Sequence, residues 1–392
     1  MCGIVGYNGF NQAADFLLDG MEKLAYRGYD SAGIAVIGAN NVIRIQKKVG
    51  RLANLEAIVK QDPNEGVVGI GHTRWATHGR PSDMNSHPHA DENMKFAVVH
   101  NGIIENYMPL KEELLQKGYH FKSETDTEVI AHLLADMYDG NFEGTVRRML
   151  DRVDGAYALE IICADEPDKI ICTKKENPLV IGLGKGENFV ASDIPAIINY
   201  TRDTYILSDG EIAIVTKDSV SVSDRAGNPI NKKVFHVIWN AEAAEKGGYE
   251  HFMLKEIHDQ PKAVRDTFGT HISEDMSQAL FSELNWEASD VDSIKNILIV
   301  ACGTAYHAGL VTKKYIESLA RIPVNVEIAS EYRYSNPLTD SSTLCIVISQ
   351  SGETSDTLAA LKEAKRLGAR SLAITNVVGS SISREADQTV YT

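Results

Sequence analysis

The chain has 392 residues, 43% hydrophobic, 24% charged and 7% aromatic, the make-up of a globular protein with room for two or three domains. A formal net charge of −15 argues against a nucleic-acid surface, which needs clustered Lys and Arg. No apolar run approaches the roughly 20 residues that span a bilayer, and the first residues lack the basic and apolar regions of a signal peptide.

From residue 2 to about 240 the pattern is mostly short β runs, such as GIAVIG, GVVGIGHTRWA, KFAVVHNG, GAYALEIIC, KIICTKK and EIAIVTKD. Two helices interrupt them. One covers residues 11–24. The other starts near TDTEVIAHLLADMYDG, where Thr125 and Glu128 have capping-box spacing. A β-rich block flanked by helices predicts stacked sheets with helices outside. Residues 241–290 are charged and helical in pattern and read as a connecting segment. From residue 291 onward the grammar changes. KNILIVACGTAYHAGLVTKKYIESLA and STLCIVISQSGETSDTLAALKEAKRLGA each run from apolar strand through a small polar loop into an amphipathic helix. Another apolar strand follows each, VNVEIA and SLAITNV. Two such units predict a doubly wound parallel sheet over 291–392, which the chain's length leaves incomplete. The five cysteines (2, 163, 172, 302 and 345) form neither a Cys-x-x-Cys pair nor a zinc spacing, so reduced thiols in a cytoplasm are expected.

The chemistry begins at MCGIVGY. Removal of the initiator Met would leave Cys2 with a free α-amine, whose pKa of about 7.7–8.0 suits a base at working pH. Thiol and base would then sit on one residue, with no His needed. Equally, Cys2 reads as a small hydrophobe opening a buried strand. In AVVHNGIIEN a strand is expected to end at His-Asn-Gly. There the Asn101 amide and the Gly102 backbone N–H can form an oxyanion hole, or Asn-Gly can be a hairpin turn. Arg74, in GHTRWATHG, suits a carboxylate, or a surface ion pair. Asp126, expected in the first turn of a helix, is favoured there by the dipole and can also hold an ammonium. A thiol, an oxyanion hole, a cation and an anion together describe a site for an amino acid carrying an acyl group, with glutamine the obvious candidate.

In SQSGETSDT, hydroxyls at Ser349, Ser351 and Thr354 and several backbone N–H groups gather between a strand and a helix N-terminus, a setting for a phosphate. CGTAYHAG (302–309) is the parallel loop of the preceding unit. Ordinary N-cap chemistry favours the same residues. Neither is a P-loop. GLGKGE (182–187) lacks the dinucleotide fingerprint and reads as a hairpin turn, and SHPHAD (86–91) reads as loop because no further Cys or His spacing supports a metal.

MCGIVGY, LAYRGYDSAG, GHTRWATHG, HNGIIEN and SETDTEVIAHL resemble the class II glutamine amidotransferase family, whose N-terminal-nucleophile hydrolase fold is an αββα sandwich. The resemblance implies Cys2 as nucleophile with Asn101 and Gly102 as oxyanion hole. It implies Arg74, Thr77, His78 and Asp126 around the glutamine backbone, Arg27 near the nucleophile, and Trp75 closing an ammonia exit. The C-terminal block resembles the sugar isomerase (SIS) family, a flavodoxin-like doubly wound fold. That implies Cys302, Gly303, Thr304, Ser349, Gln350, Ser351 and Thr354 around a sugar phosphate. Ala305 stands where that family usually has Ser, which puts one hydrogen bond to the sugar in doubt.

Together with YEHFMLKEIHDQP in the connecting segment, the two blocks resemble the amidotransferases that aminate fructose 6-phosphate to glucosamine 6-phosphate. The partners implied are glutamine and fructose 6-phosphate, in a homodimer, with no metal or organic cofactor. That family carries two SIS domains, so the chain is expected to be the N-terminal part of a longer enzyme. On that expectation the isomerising Glu, the ring-opening His, the imine-forming Lys and the C-terminal loop over the channel lie outside it. Two alternatives stand beside this reading: an amidotransferase with another phosphorylated acceptor, and a sugar-phosphate-binding regulatory protein with an inactive glutaminase domain.

Overall fold

The computed structural model describes every residue except 1, 26–27, 77–78, 238–247 and 250. They divide into two units, Met1–Glu245 and Lys246–Thr392.

The first unit opens with β1 (Gly3–Asn8), α1 (Ala13–Lys23), β2 (Ser31–Ile37), β3 (Ile43–Val49), α2 (Leu52–Gln61) and β4 (Val68–Arg74). It continues through β5 (His89–Ala90), β6 (Phe96–Ile104), α3 (Tyr107–Gln116), α4 (Glu128–Met137), α5 (Phe142–Leu150), β7 (Gly155–Cys163) and β8 (Ile170–Lys175). It closes with β9 (Val180–Leu183), β10 (Asn188–Ala191), β11 (Asp203–Ile206), β12 (Ile212–Val215), β13 (Val220–Ser223) and β14 (Phe235–His236). Among the described residues these strands form two sheets, ordered β14-β11-β9-β10-β1-β4-β2-β3 and β13-β12-β8-β7-β6-β5.

Side-chain alternation sorts the strands into layers. Val5 and Tyr7 of β1 and Ile34 and Val36 of β2 pack against α1 and α2, while Ile4 and Ala35 turn the other way to meet Val99, Ala158 and Ile162 of the second sheet. The far face of that sheet, with Val98, Leu159 and Ile161, is covered by α3, α4 and α5. A period of two along each strand thus gives each sheet one face for helices and one for its partner, and the order is helix, sheet, sheet, helix. This is the expected αββα sandwich. The turn at 184–187 joins β9 to β10, with Leu183 opposite Asn188, so GLGKGE is a hairpin turn.

The second unit holds α6 (Phe252–His271), α7 (Ala288–Asp292), β15 (Asn296–Ala301), α8 (Gly303–Leu319), β16 (Val324–Ile328) and α9 (Ala329–Tyr334). After these come β17 (Thr343–Ser349), α10 (Ser355–Arg366), β18 (Arg370–Thr375), α11 (Ser381–Glu385) and β19 (Gln388–Tyr391). The strands are all parallel in the order β16-β15-β17-β18-β19, the flavodoxin arrangement. Ile299 and Ile346 face the side of the sheet on which Ile316 of α8 packs, and Val300 and Val347 face Tyr332 of α9, Leu361 of α10 and Ile382 of α11. Four strands of this sheet match the sequence reading. The fifth, β19, had no periodic signal long enough to mark it.

Candidate active site

Pairing of β1 with β4 sets Gly3 opposite Thr73, so Cys2 stands beside the end of β4 at Arg74 and Trp75. The Cys2 thiol donates to the Trp75 carbonyl at 3.4 Å, and the Trp75 backbone N–H donates to the sulfur at 3.1 Å. Burial pushes the Cys2 thiol up, opposed by that N–H and by the Arg74 charge.

The second sheet supplies the opposite wall. Asn101 and Gly102 do not end a strand, as the sequence reading expected. They lie within β6, opposite Ala158 and Tyr157 of β7. The alternative of a hairpin turn is thereby excluded. Gly102 has φ of 132°, and a Cβ there would lie 1.9 Å from the Ala156 carbonyl oxygen, so only glycine fits this ladder position. The Asn101 Nδ2 donates to the Cys2 carbonyl at 3.0 Å, which ties β6 to the start of β1.

Arg74 is 3% exposed, and one of its terminal nitrogens donates to the Gly79 carbonyl at 3.0 Å, so it is not a surface ion pair. Asp126 is not in the first turn of a helix. It precedes α4, whose N-cap is Thr127, and its Oδ2 accepts from the Ile104 N–H at 2.8 Å. The capping box of Thr125 and Glu128 is not formed either. The Glu128 carboxylate accepts instead from the N–H of Lys122 and from the N–H and hydroxyl of Ser123, a loop rather than a helix start. Trp75 is 46% exposed and stands edge-on to Tyr29, with ring centroids 5.4 Å apart.

Cys2, Arg74, Trp75, Asn101, Gly102 and Asp126 together line a pocket of about 260 Å³. Arg27, Thr77 and His78 lie outside the described residues.

Sequence reasoning missed the histidines of this pocket. His72 of β4, His100 of β6 and His87 line it, and the His72 and His87 rings stack with centroids 4.2 Å apart. His87 belongs to the stretch read as loop, which is in part strand, since His89 opens β5. Burial pushes His72 down to about 3 and His87 well below the usual range, so both are neutral. Among the described residues no group of three or more His, Cys, Asp or Glu is arranged to hold a metal ion.

In the second unit, Cys302 caps α8, whose first residue, Gly303, has φ of 57°; Thr304 follows and is exposed. The loop after β17 folds on itself. The Ser349 hydroxyl accepts from the Gly352 N–H at 3.1 Å and bonds the Thr354 hydroxyl at 3.0 Å, and the Ser351 hydroxyl accepts from the Glu353 N–H at 3.2 Å. The Gln350 carbonyl accepts from the Asn376 N–H, so its backbone is fixed as well. Because β15 and β17 are neighbours, the two loops adjoin, and the Thr357 hydroxyl donates to the Cys302 sulfur at 3.8 Å. Strand order reverses between these two strands, which is where doubly wound sheets open a crevice for ligands.

Residues 72–199 match the glutamine amidotransferase domain family, and residues 292–392 match the SIS domain family. The chain is 59% identical over its whole length to the glutamine–fructose-6-phosphate aminotransferase (isomerizing) of Caldanaerobacter subterraneus subsp. tengcongensis. It is 56% identical to that of Clostridium tetani. It spans 64% of the length of each of these relatives. The Bacillus subtilis glutamine phosphoribosylpyrophosphate amidotransferase superposes with a TM-score of 0.53 at 18% identity, over 100% of this chain and 90% of that one, a likeness of fold alone. With both domains matched in this order and 59% identity over its 392 residues, the chain is similar to the N-terminal 64% or so of the glutamine–fructose-6-phosphate aminotransferases.

Proposed function

We propose that this chain hydrolyses glutamine at Cys2 and passes the ammonia to fructose 6-phosphate bound by the second unit, toward glucosamine 6-phosphate. One observation carries the first half: Cys2 and Asn101, joined by the Nδ2 bond to the Cys2 carbonyl, line one pocket together with a buried Arg and a buried Asp. Arg74 takes the substrate carboxylate and Asp126 its ammonium, which brings the side-chain amide to the sulfur. With Met1 removed, the Cys2 α-amine accepts the thiol proton and the sulfur attacks the amide carbon. Asn101 Nδ2 and the Gly102 N–H stabilise the negative oxygen. The amine returns the proton to the departing nitrogen, ammonia leaves, and water releases glutamate from the thioester.

Ammonia must not reach bulk water, where it is protonated and loses its lone pair. Trp75, exposed at the pocket edge, is suited to cover its exit. For the second half the support is the pair of adjoining loops, Cys302 to Thr304 and Ser349 to Thr354, together with the matched SIS domain. The same reading makes the protein a cytoplasmic homodimer, in line with its five free cysteines.

The test is glutamate release from glutamine by the wild type and by Cys2→Ala. Wild type is expected to turn over and the variant to lose at least a thousandfold. An inactive wild type, or a variant that matches it, refutes the proposal. An intact mass that retains Met1 refutes the role given to the amine.

A further inference from the structure

An asparagine amide has two ends of nearly equal size and opposite hydrogen-bonding sense, so an oxyanion donor built from one needs something to fix which end faces the substrate. In Asn101 the nitrogen end reaches the Cys2 carbonyl, and the oxygen end accepts from the His72 Nε2 at 3.1 Å. The same Nε2 lies 3.0 Å from the His100 carbonyl oxygen. Both partners are acceptors, so Nε2 carries the proton and the ring is held as a donor. His72 is fully buried on β4, opposite Ile4 of β1, and its plane is fixed by the stacked His87 ring at 4.2 Å and 17°. The backbone around His87 is clamped in turn. The Lys47 ammonium donates to the carbonyls of Met84, Ser86 and Pro88 at 3.2, 2.8 and 3.2 Å.

We propose that His72 is a positioning residue for glutamine hydrolysis: its Nε2–H holds the Asn101 oxygen away from the pocket, so the amide can present only its N–H groups to the developing oxyanion. The inference rests on the glutaminase reading above. Were the amide to turn over, its oxygen would face the Cys2 carbonyl and the negative oxygen of the intermediate. One donor would become one repulsive acceptor. The hydrogen bonds of the His72 Nε2 go to Asn101 and the His100 carbonyl, not to the Cys2 sulfur. Because it stays neutral down to about pH 3, its donor role does not change over the working range.

Two replacements separate the ring's nitrogens. In His72→Gln the amide nitrogen falls near the Nε2 position and keeps a donor for Asn101. In His72→Asn it falls near Nδ1 and cannot reach. Both are polar and similar in size to each other, so a general effect on packing is shared. For glutamine hydrolysis, His72→Gln is expected to keep kcat within about threefold of wild type. His72→Asn should lose roughly tenfold to a hundredfold in kcat, short of the full loss of an oxyanion donor. KM should stay within threefold, and the loss should be equal from pH 6 to 9. Placed on Asn101→Ala, His72→Asn should cost less than a further twofold, since no amide is left to orient. Equal activities for the two variants, or an undiminished loss on the Asn101→Ala background, overturn the positioning role alone. A wild type that releases no glutamate overturns the glutaminase reading and this inference with it.

Discussion

Asp126 has one oxygen committed to the Ile104 N–H, which fixes the carboxylate at the pocket wall. Asparagine keeps an acceptor for that N–H but removes the charge. If Asp126 holds the substrate ammonium, Asp126→Asn should raise KM for glutamine roughly tenfold or more, the scale of a lost charge-assisted hydrogen bond. kcat and melting temperature should change little. Unchanged KM in a steady-state assay removes Asp126 from the substrate site. The sequence reading put Arg74 just past a strand and Asp126 in the first turn of a helix, whereas Arg74 is the last residue of β4 and Asp126 precedes α4. His72 was not singled out, because a polar residue inside GIGHTR is noise to a hydrophobic pattern. Its meaning comes only from Asn101, 29 positions on and in the other sheet.

The strands carry information the motifs do not. In GAYALEIIC, alternation sends Ala158, Glu160 and Ile162 to the face between the sheets, so β7 buries a carboxyl in an apolar layer. Both Glu160 oxygens are buried with no partner, and Gly6 of β1 leaves the space that receives them, since a Cβ there would lie 2.5 Å from Oε2. Burial holds the Glu160 carboxyl well above the usual carboxylate range, so the folded state keeps its proton. The unfolded chain releases that proton above about pH 4.3. Between that pH and the folded-state pKa the native state binds more protons, so its stability falls as pH rises, by up to about 1.4 kcal/mol per unit. Glu160→Leu removes both the unpartnered carboxyl and the linkage. It should stabilise the first unit by about 1–3 kcal/mol near pH 5, with a gain over wild type that grows further toward pH 8 in urea titrations. A gain that is flat with pH, or a loss, contradicts a protonated buried carboxyl.

The same ladder explains why Asn101-Gly102 was misread. Asn-Gly between apolar runs is the usual mark of a tight turn. Here it runs straight through β6 because β7 pairs on both sides of it, from Phe96 opposite Cys163 to Ile104 opposite Gly155. Long-range pairing overrides the local preference, and Gly is present for its positive φ rather than for a turn. Gly102→Ala should therefore cost both stability and turnover, because its Cβ meets the Ala156 carbonyl and shifts the very N–H assigned to the oxyanion. A variant with the wild-type melting temperature and full kcat rules out that role for the Gly102 position.

At the scale of the whole chain, each unit has apolar cores of its own. Among the described residues, three belong to the sandwich and two to the parallel sheet. The sequence reading set a connecting segment at 241–290 between alternating β runs and strand-loop-helix repeats, whereas the contacts divide the chain into Met1–Glu245 and Lys246–Thr392. The counterpart of this division in stability is two unfolding events rather than one. Every proposed glutamine contact among the described residues lies in Met1–Glu245, and every proposed sugar-phosphate contact lies in Lys246–Thr392. A ligand stabilises only the unit that binds it, by about 2.7 kcal/mol at a hundred times its Kd. Glucosamine 6-phosphate should therefore raise one calorimetric transition and leave the other in place. A covalent glutamine analogue on Cys2 should raise only the second of the pair. Cys2→Ala abolishes the analogue's shift and keeps the sugar phosphate's. If one ligand moves both transitions equally, or if the chain melts in a single transition, the two chemistries are not housed in separate cores.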